Sequence, residues 1–227
     1  MTESTILKYI DLLDSGLSNE LIFTRNLSDT VLLAKVWDHE PRFDEKIPFN
    51  SPSYNFYFIK NESEKVIGAI QDAGADLHWV IIEEERKKGH LTKALKEIII
   101  PYIFCYLERD VQRITISRGI GSENYQNSKG VALSLGFIPV DVDQTEFELS
   151  FENFAKEIKC HDGNDVKISA ERFKTLRKRI RYASSVLEKV SDELLVCLGD
   201  DKGLQDLANE VKYINLKIED LEWARKK

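Results

Sequence analysis

The stretch that decides how this chain folds is Asp76-Leu77-His78-Trp79-Val80-Ile81-Ile82-Glu83-Glu84-Glu85-Arg86-Lys87-Lys88-Gly89-His90-Leu91. Asp76 to Ile82 is rich in β-branched and aromatic residues, as a strand requires, and Leu91 to Leu107 repeats its apolar residues with helical spacing. The charged residues between them and Gly89 fit a tight turn. The stretch therefore predicts a strand, a turn and a helix start. A helix start is a general anion site, because its first N–H groups have no intrahelical acceptor.

The flanking residues indicate an α/β (α+β) domain. A clear hairpin precedes the central strand, and strand-helix-strand units follow the central helix. This order predicts a mixed, mostly antiparallel sheet with helices on both faces. The other elements that we predict are a helix at Ile6–Leu13, a strand at Leu21–Arg25, a helix at Ser28–Trp37, a loop at Asp38–Pro52, strands at Tyr54–Ile59, Val66–Ile70 and Arg113–Ser117, a helix at Asn127–Leu135, and strands at Gly136–Val140 and Thr145–Ser150.

Two motifs in this order resemble those of the GNAT superfamily of acyl-CoA N-acyltransferases. Arg86 and Gly89 match the first two fixed positions of its pyrophosphate motif, R/Q-x-x-G-x-G/A. Ser128 and Gly136-Phe137 are similar to its Asn-x-x-Ser segment and the ending that follows it. The motifs are about forty residues apart with a strand between them, as in the family. The resemblance covers roughly Leu21 to Phe151 and implies a GNAT-like acetyltransferase domain.

That resemblance implies a site for acetyl-CoA as co-substrate. Backbone amides of Lys87 to Leu91 would hold the pyrophosphate, and the strand Asp76–Ile82 would pair with the pantetheine amides. The acetyl carbonyl would lie in the split between this strand and Arg113–Ser117, where an amine would attack the thioester directly. The binding residues so implied are Ile81, Ile82, Arg86, Lys87, Lys88, Gly89, His90, Leu91, Thr92, Asn124 and Ser128.

Three residues are candidates for proton transfer. Asp76 and His78 alternate on one face of the strand and could act as base and orienting partner. The alternative is a surface carboxylate beside a hydrogen-bonded histidine. Tyr125 is a candidate to protonate the thiolate, because Ala132 stands where many members of the family have tyrosine. In a separate departure from the family pattern, Leu91 replaces a small residue of the pyrophosphate motif. The leading function is amine acetylation, and the alternative is a degenerate GNAT-fold module that binds CoA or a protein partner without turnover.

Other charged clusters have simpler explanations. The net charge of −7 argues against nucleic acid as a partner. The run Glu83–Glu85 is expected to be solvated, although it could attract a cationic substrate. Cys160-His161-Asp162 lacks a second ligand cluster, so we expect no metal site. The basic run Arg172–Arg181 could bind phosphate, but an antiparallel partner helix would bring acidic residues beside it.

The last third of the chain predicts an antiparallel coiled-coil hairpin. Its apolar residues repeat at alternating spacings of three and four, and a Gly-bounded turn separates the two series. The first series is Phe173, Leu176, Ile180, Ala183, Leu187, Val190, Leu194 and Cys197, and the second is Leu204, Leu207, Val211, Ile214, Ile218 and Leu221. We expect a GNAT-like domain at 1–152, a linker at 153–164 and this hairpin at 165–227. The hairpin is the element through which we expect a homodimer, or a docked partner helix.

Cysteine usage favours a reducing compartment. Cys105 and Cys197 lie in apolar helical patterns that predict buried thiols, and the chain has no C-x-x-C pair. The N-terminus has no signal-peptide pattern, and the most apolar stretch, Ile98–Tyr106, is too short to cross a bilayer. We therefore expect a cytoplasmic protein that does not associate with membranes.

Overall fold

The computed structural model describes residues 2–16, 20–42, 53–154 and 168–224. The chain divides into two compact units, Met1–Asp165 and Val166–Lys227. The helices are α1 (Glu3–Asp14), α2 (His90–Ala94), α3 (Ile100–Tyr106), α4 (Ser122–Ser134), α5 (Phe151–Phe154), α6 (Ala170–Leu198) and α7 (Leu204–Ala224). The strands are β1 (Ile22–Asn26), β2 (Val31–Trp37), β3 (Ser53–Lys60), β4 (Val66–Asp72), β5 (Leu77–Ile81), β6 (Val111–Thr115), β7 (Ile138–Pro139) and β8 (Glu146–Ser150). A π-helical turn at Leu95–Ile99 joins α2 to α3, so the chain is helical without a break from His90 to Tyr106.

The strands form two antiparallel sheets in the first unit. One has the order β1-β2-β3-β4-β5, and the other has the order β6-β8-β7. The sheets meet at one isolated parallel bridge between Asp76 and Arg113. The predicted mixed, mostly antiparallel sheet is confirmed. No helix among the described residues is long and apolar enough to cross a membrane.

Helices cover both faces of the larger sheet. Strand β3 alternates its side chains between two cores, as a period of two requires. Tyr57 and Ile59 belong to the core that contains residues of α2, α3 and α4, whereas Phe56 and Phe58 belong to the core beneath α1. All four side chains are fully buried. The sheet therefore needs a helical layer on each side.

The predicted helix at Ser28–Trp37 is wrong, because this segment is a hairpin turn followed by strand β2. The Ser28 hydroxyl accepts hydrogen bonds from the N–H groups of Thr30 and Val31, which closes the turn between β1 and β2. Strand β2 then pairs with β1 and β3. It is buried on both faces, so its apolar residues run together without the alternation that identifies a half-buried strand.

The second unit is the predicted antiparallel pair of helices. Part of the predicted apolar series lies outside the line of closest contact, however. Ser184, Ser191 and Ala208 are buried between α6 and α7, whereas Val190 and Cys197 are exposed. The Ser184 hydroxyl donates to the Ala208 carbonyl at 2.9 Å. The assignment of the whole apolar series to the contact between the two helices is therefore wrong.

Part of the basic run pairs across the hairpin. The Arg177 guanidinium donates to both carboxylate oxygens of Glu219, at 3.2 and 2.9 Å, and to the side chain of Asn215. An antiparallel neighbour thus supplies the acidic partner for this arginine. The pair gives the register of the hairpin, since it sets the level of residue 177 beside that of residues 215 and 219.

Neither predicted buried thiol is present. Cys105 is half-buried and disulfide-bonded, and Cys197 is exposed and free. Local apolar periodicity carries no information about a covalent partner far along the chain, and Cys197 lies beyond the closest contact of the hairpin. Residues 43–52 of the predicted loop, residues 155–164 of the predicted linker and Cys160-His161-Asp162 lie outside the described ranges.

Candidate functional site

The two sheets separate immediately after the bridge between Asp76 and Arg113. The Arg113 N–H donates to the Ala75 carbonyl at 2.9 Å. One residue pair later, the Asp76 carboxylate takes the place of a backbone acceptor and receives the Thr115 N–H at 2.8 Å. From Leu77 onward, β5 pairs with β4 alone among the described strands. The result is a fork with one unpaired edge of β5 facing it.

Alternate residues of β5 present their backbone groups to this fork. The Ile82 N–H and the Asp76 carbonyl are both bonded to the β4 side, to Ile67 and Ala73. In an antiparallel strand, alternate residues direct their N–H and C=O groups to opposite edges. Leu77, Trp79 and Ile81 therefore direct theirs into the fork, where an extended ligand could pair with them.

The turn after β5 has the geometry of an anion site. Gly89 has a φ of +84°, in the left-handed region that favours glycine, and the first helical hydrogen bond runs from the Lys93 N–H to the Gly89 carbonyl at 3.0 Å. The amides before Lys93 are therefore those that a helix leaves without an intrahelical acceptor. The Arg86 Nε donates to the Ile81 carbonyl at 2.9 Å, so this side chain braces the turn against the end of β5.

A cavity of about 520 Å³ connects the edge of β5, the turn and helix α4. Its volume is in the range of small-molecule and cofactor sites. Trp79 Nε1 donates to the Ser128 hydroxyl at 3.4 Å and links the strand wall to the helix wall. The residues around it are Glu3, Trp79, Val80, Ile81, Glu85, Arg86, Lys87, Gly89, His90, Leu91, Thr92, Ile120, Asn124, Gln126, Asn127, Ser128, Gly130, Val131 and Ser134.

The cavity brings together most of the residues that the sequence nominated for binding. Ile81, Arg86, Lys87, Gly89, His90, Leu91, Thr92, Asn124 and Ser128 line it, and Ile82 and Lys88 do not. Sequence reasoning missed its strand wall at Trp79 and Val80. It also missed Val131 of α4, one turn after Ser128, which helical spacing from Ser128 could have found. No sequence signal pointed to Glu3, which arrives from α1.

The basic side chains of the turn are held by carboxylates. Lys87 pairs with Glu123 at 2.6 Å, and Lys88 and His90 lie 2.9 and 3.3 Å from Glu85. The hydrogen bond from Lys88 lowers the pKa of Glu85, and that from Lys87 lowers the pKa of Glu123. Both carboxylates are therefore ionised at neutral pH.

A further ion pair reaches the turn from α1. The Arg86 Nη2 lies 3.2 Å from the Glu3 carboxylate. An anionic ligand would meet the backbone amides of the turn, together with cations that already have acidic neighbours.

Asp76 and His78 form a dyad beside the fork. His78 Nε2 lies 3.5 Å from Asp76 Oδ2, while the other oxygen of Asp76 holds the Thr115 N–H. His78 is half-exposed, and neither residue lines the cavity. The pair lies on the opposite face of β5 from Leu77 and Trp79, which pack into the core beneath α2 and α4. The dyad is thus placed to meet a molecule that approaches the fork from the other side.

Tyr125 is anchored away from the cavity. Its side chain is buried and its hydroxyl donates to the Gln144 carbonyl at 2.7 Å, with the Arg118 guanidinium over its ring. Ala132 is fully buried in the core and brings no polar group to the site. Among the described residues, no cluster of His, Cys, Asp and Glu could hold a metal ion.

Comparisons with known proteins give likenesses of structure only. No protein-family model matches the sequence, and no curated protein matches it significantly. The structure is similar to mutant forms of the spermidine/spermine N-acetyltransferase SpeG from Vibrio cholerae, with 10% identity and a TM-score of 0.37 over 47% of this chain and 72% of that chain. It is also similar to an acetyltransferase from Agrobacterium tumefaciens, with 18% identity and a TM-score of 0.32 over 42% of this chain and 58% of that chain.

The structure has the fork between β5 and β6, and the turn and helix after β5, that the sequence resemblance predicted. The likenesses to solved structures are partial, and neither transfers a substrate to this chain.

Proposed function

We propose that the protein is an acyl-CoA-dependent N-acyltransferase that transfers an acetyl group from acetyl-CoA to an amine. One observation carries the proposal: a single cavity joins the unpaired edge of β5 to the open amides before Lys93. A ligand with an extended amide chain at one end and a pyrophosphate at the other matches these two features. CoA has this composition.

The proposed binding mode follows from the backbone. The pantetheine amides pair with the backbone groups of Leu77, Trp79 and Ile81, and the pyrophosphate binds the amides of Lys87 to Leu91. Arg86 acts as a brace rather than as a phosphate ligand, because its guanidinium already bonds the Ile81 carbonyl. The thioester then lies at the fork, where the strands diverge.

Direct attack is the proposed reaction. The amine nitrogen bonds to the thioester carbon, the carbon–sulfur bond breaks, and the thiolate leaves with the electron pair. His78 takes the proton from the nitrogen, and Asp76 holds the imidazole in position. The thiolate takes up a proton from water. Tyr125 would supply that proton only if its hydroxyl left the Gln144 carbonyl.

Thermal unfolding with acetyl-CoA tests the binding step. A ligand at 100 times its dissociation constant stabilises the folded state by about 2.7 kcal/mol. We expect a clear rise in melting temperature with acetyl-CoA and with CoA. We expect a smaller rise with pantetheine, which lacks the pyrophosphate and the nucleotide. An unchanged melting temperature with both nucleotide ligands would contradict the proposal.

Turnover is tested with the His78→Gln variant. We expect acetyl transfer to a panel of polyamines, lysine peptides and amino-terminal peptides to fall about 10²–10⁴-fold, while stabilisation by acetyl-CoA is unchanged. Lys35→Gln is the matched surface control and should leave both readouts unchanged. Stabilisation by acetyl-CoA without transfer to any acceptor would instead favour a module that binds CoA without turnover.

We also propose that the protein is a cytoplasmic homodimer joined through the coiled-coil hairpin. The exposed apolar residues of α6 and α7 support the dimer. The proposed dependence on an acyl-CoA supports a cytoplasmic location. The disulfide at Cys105 argues against a reducing compartment. Counting the free thiols of protein that is trapped with an alkylating reagent in intact cells would decide the compartment.

A further inference from the structure

The hairpin carries one apolar surface that its own two helices do not cover. We define the open face as Leu176, Ala183, Val186, Val190 and Cys197 of α6 with Leu207, Ile214 and Leu221 of α7. Helical residues advance by about 100°. At that spacing all of these side chains but Val186 lie on one flank of each helix, next to the contact line of Ser184, Ser191 and Ala208, and Val186 lies at the outer edge of that flank. Because the helices are antiparallel, the two flanks lie on the same side of the hairpin.

The open face contains the members of the two apolar series that recur every seven residues on one flank of each helix, together with Val186. Val186, Val190, Leu207 and Ile214 are each more than 40% exposed, and Leu221 is 61% exposed. The contact between α6 and α7 includes small and polar groups, among them Ser184, Ala208 and the pair of Arg177 with Glu219, while Ile180, Leu187 and Leu194 of the apolar series are half-buried. A periodic apolar pattern that its own hairpin does not bury is typical of half a helical bundle.

We infer that the open face is covered by the open face of a second copy, with the two hairpins antiparallel in a four-helix bundle. This inference rests on the homodimer proposed above and adds the surface and the orientation. A surface about 30 Å long and two helices wide, or about 20 Å, covers roughly 600 Å² per copy. That area is close to the roughly 800 Å² per partner of stable interfaces.

The charges beside the open face select the orientation. Arg179 lies toward the start of α6 and Glu193 toward its end, on the rim of the face. In an antiparallel pair, α6 packs on the partner's α6, and each Arg179 lies beside the partner's Glu193. In a parallel pair, α6 would pack on the partner's α7. Lys217 of α7 lies at the level of Arg177 of α6. In the parallel pair, Arg179 would therefore lie beside Lys217 of the partner's α7, and the two positive charges would repel each other.

A matched pair of substitutions tests the surface. Ile214→Asp places a charge in the open face, and Leu216→Asp makes the same change on the opposite flank of α7. The two residues are 44% and 54% exposed. In sedimentation equilibrium of the full chain, we expect Ile214→Asp to raise the dimer dissociation constant at least 100-fold and Leu216→Asp to leave it within about threefold of the native value. Helical circular dichroism checks that both variants keep the hairpin.

Disulfide trapping tests the orientation without depending on either aspartate. Ala183→Cys and Val186→Cys lie where α6 would cross the two-fold axis, and Ser185→Cys is at the same level on the other side of the helix. In a Cys197→Ser background, we expect mild oxidation to link 183 to 183 or 186 to 186 between copies, as peptide mapping would show. We expect no link at 185, because a disulfide requires Cα atoms within about 7 Å.

The outcomes separate the two proposals. A native chain that is monomeric at all concentrations overturns the dimer itself. A dimer that both aspartates weaken equally, or that neither weakens, overturns the open face as its surface. A dimer that Ile214→Asp weakens but that forms no link at 183 or 186 overturns the antiparallel orientation. None of these results depends on whether acetyl-CoA binds.

Discussion

Leu91 is the large apolar side chain at the proposed anion-binding turn. It lines the cavity and also packs, half-buried, against the core of the first unit. We expect Leu91→Ala to lower the stability of the unliganded protein by about 1–2 kcal/mol, because part of a leucine side chain leaves the core. We expect the same change to tighten binding of acetyl-CoA, since the pyrophosphate can approach the backbone more closely. Melting temperatures measured across a series of acetyl-CoA concentrations report both effects.

Val131→Ala is the matched control for that prediction. Val131 is also half-buried against the core and lines the opposite, helical wall of the cavity. Its truncation should lower the unliganded melting temperature without improving affinity. Equal gains in affinity for both variants would mean that cavity volume, rather than approach to the turn, limits binding.

Asp141 links the stability of the first unit to pH. Hydrogen bonds from the Glu146 N–H, the Thr145 hydroxyl and the Thr145 N–H hold the pKa of this carboxyl below its usual range. A carboxyl with a depressed native pKa stabilises the fold above its unfolded pKa, and this stabilisation is lost as the pH falls through the native pKa. We expect Asp141→Asn to lower the melting temperature at pH 7, with the difference from the native chain shrinking toward pH 3. A difference that stays constant with pH would contradict this account.

At the scale of elements, a buried ion pair fixes the closed end of the fork. Arg109 lies 2.8 Å from the fully buried Asp72 carboxylate at the end of β4 and donates to the Gln112 side chain on β6. The Gln112 amide donates in turn to the Ala75 carbonyl at 2.7 Å. Since Arg109→Ala leaves a buried charge without its partner, we expect a loss of about 3 kcal/mol in chemical denaturation.

Arg113→Ala is the control for this network. Arg113 pairs with Glu148 across β6 and β8, but its side chain is 58% exposed. An exposed pair contributes less than about 1 kcal/mol, so this variant should unfold close to the native midpoint. If the two variants lost equal stability, burial of Asp72 would not be the source of the effect.

The sequence predicted elements well where a local pattern had one physical cause. Strand β5, the turn at Gly89 and the helix after it have such patterns, and the hairpin has its heptads. Ser28 could equally begin a helix or close a turn, and the side-chain hydrogen bonds to Thr30 and Val31 decide in favour of the turn. The apolar residues of β2 do not alternate with polar ones, because both faces of the strand are buried. The sequence pattern therefore did not identify this segment as a strand.

The site was predictable only where a motif marked it. The turn and Ser128 carry the family pattern, so most of the proposed phosphate side of the cavity followed from sequence. Trp79 and Val80 line the cavity because, among the described strands, β5 pairs beyond Asp76 with β4 alone, which is a property of sheet topology. Glu3 is 83 positions from Arg86, and only the packing of α1 on the sheet brings them together.

At the scale of the whole molecule, the two units divide the proposed tasks. The cavity and the fork lie in Met1–Asp165, and the open face lies in Val166–Lys227. A chain ending at Asp165 should therefore be monomeric, yet gain the same increase of about 2.7 kcal/mol at 100 times the dissociation constant for acetyl-CoA as the full chain. Sedimentation and thermal unfolding of the shortened chain measure the two properties separately. If the shortened chain folded but gained nothing from acetyl-CoA, the second unit would be required to complete the acyl-CoA site, and the division of tasks would be wrong.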